Sequence, residues 1–134
     1  MHSVTVSTHL TASPDQVWSK IGDPGAISSW HPAIAKSTLE GKARQCTLAN
    51  GAQIDEAIDH VDDANRSYSY RIVESPLPVE DYRSTIKVVE ADGGCSVEWT
   101  SSFDVSAGPA EDTVAMIKDV YAAGLAALRE SFKS

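Results

Sequence analysis

What this chain has least of narrows its chemistry first. Cysteine occurs only twice in 134 residues, at Cys46 and Cys95, far apart and in no C-x-x-C arrangement. That excludes a disulfide framework and fits reduced packing thiols in a cytosol, so a cytoplasmic location is expected. No hydrophobic stretch approaches the roughly 18 residues of a membrane span, and no membrane insertion is expected. The opening Met1-His2-Ser3-Val4-Thr5-Val6 lacks the basic region and apolar segment of a secretory signal. Basic residues are scarce: 11 Lys and Arg stand against 19 Asp and Glu, a net charge of −8. A nucleic-acid partner would need clustered cations, so none is expected. No G-x-G-x-x-G or Walker-type loop is present to cradle a nucleotide. His2, His9 and His60 have no metal spacing with one another or with either cysteine; no metal and no cofactor are expected. The absence of a nucleophile elbow or an assembled triad argues against covalent catalysis.

What is present reads as a globular domain spanning residues 1–134, with 42% hydrophobic and 22% charged residues, long enough to bury a core. Its longest pattern is the last. Val114, Ile117, Tyr121, Leu125, Leu128 and Phe132 recur at three- and four-residue steps, one stripe of an α-helix over residues 109 to about 132. Gly108-Pro109 suits its entrance. Glu111 and Asp112 lie at the positive end of its dipole, and Arg129 and Lys133 at the negative end. A rod of roughly 36 Å with a wide apolar face needs a large partner surface. Everything before it reads as short strands, so that partner is a sheet.

Val4, Val6 and Leu10 alternate with polar residues as a first strand. Ser13-Pro14-Asp15-Gln16 then opens a short helix, with Ser13 as N-cap and Gln16 placed for a capping box. Gly22-Asp23-Pro24-Gly25 ends it, and a second helical turn through residues 26–29 follows before Trp30-His31-Pro32. From Ile34 onward strands come quickly between turn signals, of which Asn50-Gly51 and Asp92-Gly93-Gly94 mark hairpins. The class is α+β: seven antiparallel strands, six of them in a meander, curved around the terminal helix, with two short helices after the first strand.

Alternation along these strands predicts what faces the helix. The inward sets are Ile54, Glu56, Ile58 and His60; Tyr68, Tyr70 and Ile72; Tyr82, Ser84, Ile86 and Val88; and Val97, Trp99, Ser101, Phe103 and Val105. So many hydroxyls, phenols and a carboxyl are too polar for a dry core, and buried polar groups need partners. Apolar walls with a few convergent polar groups describe a small-molecule pocket. Glu56 interrupts an otherwise apolar Ile-x-Glu-x-Ile face. Either it is a desolvated carboxyl with a raised pKa, as binding and catalytic acids often are, or a bulge turns it outward, or it pairs with an arginine. Tyr70, Tyr82 and Tyr121 either aim hydroxyls at a ligand or pack as core aromatics. Ser84 and Ser101 are pocket donors or space-fillers, Trp18 is core, and Trp99 is core or pocket wall. His31 is a candidate general base at the pocket mouth, or else a capping or exposed histidine.

Strand, two short helices, six-strand meander and long helix is the order of the helix-grip fold. The stretches Ser13-Pro14-Asp15-Gln16-Val17-Trp18, Gly22-Asp23-Pro24, Trp30-His31-Pro32, Leu39-Glu40-Gly41, Ser67-Tyr68-Ser69-Tyr70-Arg71-Ile72, Pro76-Leu77-Pro78-Val79 and Val97-Glu98-Trp99 resemble the bacterial polyketide cyclase/dehydrase and lipid-transport (SRPBCC) branch of the START and birch-pollen-allergen superfamily. The same order is similar to the plant abscisic-acid receptors. That likeness implies a pocket carboxylate at Glu56, pocket side chains at Tyr70 and Ile72, a Tyr-x-Ser pair at Tyr82 and Ser84, and ligand-facing helix positions at Tyr121 and Leu125. Where those receptors anchor an acid with lysine, this chain has Ile34. Their gating loop is cut to Ala49-Asn50-Gly51 and their latch is replaced by Leu77-Pro78-Val79. The resemblance therefore implies a preformed pocket for a less acidic, more hydrophobic ligand rather than a hormone switch.

Three functions are consistent with this reading. One is a carrier, monomer or homodimer, holding a small hydrophobic or aromatic molecule among Ile34, Ile54, Glu56, Tyr70, Ile72, Val79, Tyr82, Ser84, Trp99, Tyr121 and Leu125. Another is a cofactor-independent cyclase, dehydratase or hydrolase with Glu56 or His31 as general acid or base and Tyr70 or Tyr82 polarising a carbonyl. The third is a protein-interaction module using the outer sheet face at Arg83, Thr85 and Lys87.

Overall fold

The computed structural model describes residues 1–132, so the expected contribution of Lys133 to the helix end lies outside the described residues. Strand β1 (His2–Leu10) is followed by helix α1 (Pro14–Ile21) and a 3-10 turn (Pro24–Ser29). Six strands follow: β2 (Ile34–Glu40), β3 (Ala43–Leu48), β4 (Gln53–Asp62), β5 (Ser67–Glu74), β6 (Val79–Ala91) and β7 (Gly94–Val105). Helix α2 (Ala110–Ser131) closes the order. The sheet runs β1-β7-β6-β5-β4-β3-β2 with every neighbouring pair antiparallel. This is the helix-grip architecture expected from the sequence.

Local chemistry explains the element boundaries. Ser13 Oγ accepts from the Gln16 backbone N–H at 3.2 Å, while Gln16 Oε1 accepts from the Ser13 N–H at 3.0 Å. That is the capping box, and it fixes the start of α1. The β3–β4 connection closes through Leu48 N–H to Ala52 O at 2.8 Å, with Asn50 Oδ1 accepting from Ala52 N–H at 3.0 Å. Gly51 takes the positive φ of 90° that the turn requires. In α2, Pro109 is the N-cap residue rather than the first helical one. The buried face of α2 is Thr113, Ile117, Tyr121, Gly124, Leu125 and Leu128, while Val114 and Phe132 are only partly buried.

Irregularities in the ladder correct two expectations. Ile58 pairs with Tyr70 and His60 with Ser69, so Asp59 is an extra residue in β4. A bulge of one residue inverts the alternation beyond it. His60 therefore points outward and its side chain is 71% exposed, against its predicted inward place. In β6, Glu80 pairs with Asp104 and Arg83 with Ser102, so Asp81 and Tyr82 together face Phe103. Asp81 absorbs the extra residue with φ 53°. Tyr82, Ser84, Ile86 and Val88 are buried inward as expected, whereas Val79, beyond the bulge, and Val105 are only partly buried.

Candidate functional site

A partly enclosed cavity of about 260 Å³ lies between α2 and the concave face of the sheet. Ile34, Ile54, Glu56, Tyr70, Ile72, Tyr82 and Trp99, all expected in the pocket, line it. Alternation on β2, β4, β5, β6 and β7 brings them to one face. Leu48 at the end of β3, Asn50 and Leu77 from the turns, and Ile27 from the 3-10 turn supply further wall. Met116 and Val120 of α2 complete it while remaining 39% and 36% exposed, which puts them at its rim. They stand beside the main apolar stripe of α2, so the stripe alone did not reveal them.

Arg44 is the principal residue that sequence reasoning missed. Its guanidinium is buried in the wall: Nε donates to Glu56 Oε1 at 2.8 Å, and Nη1 donates to Pro24 O at 3.0 Å and Tyr68 Oη at 3.2 Å. Its Cζ lies 4.5 Å from the centre of the Tyr70 ring, within cation–π range. Against the desolvation of its burial, Tyr68, Glu56 and Tyr70 hold its pKa well above the ordinary arginine value. Glu56, 8% exposed, is thus a carboxylate paired with arginine, which is one of the three possibilities open from the sequence. A signal for this did exist. The Asn50-Gly51 hairpin sets Cys46 opposite Ile54 and Arg44 opposite Glu56, and alternation puts Arg44 on the same side as Cys46. Cys46 Sγ donates to Glu56 Oε1 at 3.4 Å. Burial, and then the Glu56 charge, push its pKa up to about 12. It is held as an unreactive thiol.

Other predicted residues lie behind the cavity wall. Tyr121 stacks on Trp99 with ring centres 4.3 Å apart, and its hydroxyl bonds to Tyr82 and, at 3.1 Å, to Ser84 Oγ. Ser84 also donates to Thr100 O and receives the Trp99 indole N–H, each at 3.1 Å. Its hydrogen-bonding capacity is spent on Thr100, Trp99 and Tyr121. Leu125 lies one turn beyond Tyr121 and is buried in the core, while Val79 sits past the β6 bulge. None of these four lines the cavity. Tyr70 and Tyr82 do line it, and burial raises both their pKa values, so they stand as neutral phenols.

His31 does not sit at the mouth. It is 1% exposed, its Nδ1 accepts from Ala33 N–H at 3.1 Å, and Nε2 lies 2.9 Å from Val120 O. Those partners require a neutral ring protonated on Nε2, donating to the helix carbonyl. Burial accordingly lowers its pKa, and the Val120 bond offsets this only in part. The unfolded chain then takes up a proton at a higher pH than the native one, so acidification favours unfolding. Wild-type Tm is expected to fall between pH 7.5 and 5.5 more steeply than that of His31→Gln. This single site bounds the difference at about 1.4 kcal/mol per pH unit. Identical slopes would mean His31 protonates freely in the folded state.

Among the described residues no three His, Cys, Asp or Glu side chains gather as a metal site. No helix among them is long and apolar enough to cross a membrane. A family model for polyketide cyclase/dehydrase and lipid transport matches residues 1–133. Solved structures similar to this chain include the protein XoxI from Bacillus cereus, at 33% identity and TM-score 0.95, covering 98% of this chain and 96% of that one. An uncharacterised protein from Bacillus thuringiensis shares 32% identity with TM-score 0.94, covering 98% of each chain. A START superfamily protein from Mycobacterium smegmatis has 12% identity and TM-score 0.83 over 98% of this chain and 97% of its own, a likeness of fold alone. A search of curated proteins finds no match.

Proposed function

The chain belongs to the polyketide cyclase/dehydrase and lipid-transport family, and from that premise we propose that it binds a small hydrophobic or aromatic molecule between the sheet and α2. The observation that carries this reading is the partly enclosed cavity, whose largely aliphatic and aromatic wall carries an internally neutralised ion pair. Its volume, about 260 Å³, is below the ~300–1,000 Å³ typical of pockets for drug-sized ligands, so the ligand is compact. Carriage is favoured over turnover by the state of the candidate catalytic groups. Both nitrogens of His31 are committed outside the cavity, Cys46 is held as a thiol, and Glu56 is tied to Arg44. Both cysteines are free and buried, which suits a reducing compartment.

Thermal-shift titration with aromatic, polyketide, steroid and fatty-acid sets tests this directly. A compact binder at 100 times its Kd is expected to add about 2.7 kcal/mol of stability. Ile54→Trp, which fills the cavity from its wall, is expected to remove that shift. A shift that survives Ile54→Trp places the ligand elsewhere, and no shift with any compound defeats the reading.

A further inference from the structure

The ion pair in the cavity wall is incompletely used. Arg44 spends Nε and Nη1 on Glu56, Pro24 and Tyr68, and Glu56 spends Oε1 on Arg44 and Cys46. Nη2 of Arg44 and Oε2 of Glu56 make no hydrogen bond with the described residues. Neither is fully buried, because among the described residues the fully buried side-chain polar atoms without a partner are Trp30 Nε1 and Ser101 Oγ. Arg44 and Glu56 both line the cavity, so these are the atoms of the pair left to meet a ligand there. One is a donor only and the other, on a carboxylate, an acceptor only. The two residues that carry them are directly opposed across β3 and β4 and joined through Nε and Oε1 at 2.8 Å.

We propose that this Arg44–Glu56 edge reads an uncharged carboxamide or lactam on the ligand, whose carbonyl accepts from Arg44 Nη2 and whose N–H donates to Glu56 Oε2. The inference rests on the cavity being the binding site. Charge decides against the alternatives. A ligand carboxylate would add a second anion beside Glu56 and compete with it for a guanidinium already neutralised. A ligand cation would meet Arg44. An amide adds no charge and satisfies both atoms at once, and hydrogen bonds to charged groups are the strong ones. The rest of the wall, including Ile34, Ile54, Ile72 and Trp99, accommodates the ring or chain that carries the amide.

Four flat isosteres separate these possibilities: benzamide, benzoate, benzamidine and toluene, titrated into wild-type protein and followed by amide NMR shifts around the cavity. Benzamide is expected to bind at least about tenfold more tightly than the other three, since each of them leaves a buried polar group unmatched or adds a charge. In Glu56→Gln the order of the first two is expected to reverse, because benzoate then supplies the counter-charge Arg44 has lost. Benzoate equal to or tighter than benzamide in wild type, or toluene equal to benzamide, overturns the amide assignment while leaving the cavity as the binding site. The wild-type ratios decide this even if Glu56→Gln does not fold. Should none of the four, nor any compound of the broader sets, bind at all, the cavity reading falls and the amide assignment with it.

Discussion

Arg44→Ala is expected to destabilise the protein by about 3–5 kcal/mol, because it leaves Glu56 buried without its counter-charge. The cost reflects stranding a charge rather than the net worth of the pair. Desolvating both ions already offsets much of their attraction, so the intact pair contributes little net stability. The companion double variant Arg44→Met with Glu56→Leu is accordingly expected to recover most of the loss. Urea unfolding of wild type, Arg44→Ala and the double variant measures this. An Arg44→Ala variant within about 1 kcal/mol of wild type would mean that water reaches the pair. The lost contacts extend past the carboxylate. Arg44 also ties β3 to Pro24 and Tyr68, so its removal loosens the 3-10 turn that supplies Ile27 to the cavity.

Gly124→Ala is the second large effect expected, and it concerns how closely α2 can approach the sheet. A Cβ at Gly124 would lie 2.5 Å from His31 Cδ2, 2.7 Å from His31 Nε2 and 3.2 Å from Trp99 Cζ3. His31 cannot turn aside without losing its bonds to Ala33 and Val120. Trp99 is held between Tyr121 and Trp30, with ring centres at 4.3 and 5.7 Å. Overpacking of this kind costs about 1–3 kcal/mol. The helix propensity that alanine adds returns up to ~1 kcal/mol. The expected net result is a lower Tm together with altered ligand affinity, since Met116 and Val120 must move with the helix. An unchanged or raised Tm would show that α2 is not pinned at this point.

Much of the fold was legible because its signals are local and periodic. The capping box of Ser13 and Gln16 lies within one turn. The Asn50-Gly51 hairpin is a two-residue signal, and Ile117, Tyr121, Leu125 and Leu128 mark the buried side of α2 by spacing alone. Strand alternation likewise carried Glu56, Tyr70, Ile72, Tyr82 and Trp99 to the correct face.

Alternation says which side a residue faces, not how deep it lies or what it meets there. Tyr121 and Ser84 face inward as expected, yet the stacking of Tyr121 on Trp99 sets both behind the cavity wall. A single extra residue at Asp59 turned His60 to solvent, because a bulge reverses parity for everything beyond it. His31 became a buried seat for α2 through a glycine 93 positions later in the chain, at Gly124, whose missing side chain makes the room. The chain by itself thus determined the order of elements, the faces of the strands and the side of α2 that is buried, all set by short-range periodicity. Only the tertiary structure decided that Arg44 closes on Glu56 and that space remains beside them, because both depend on distances between residues the sequence keeps apart.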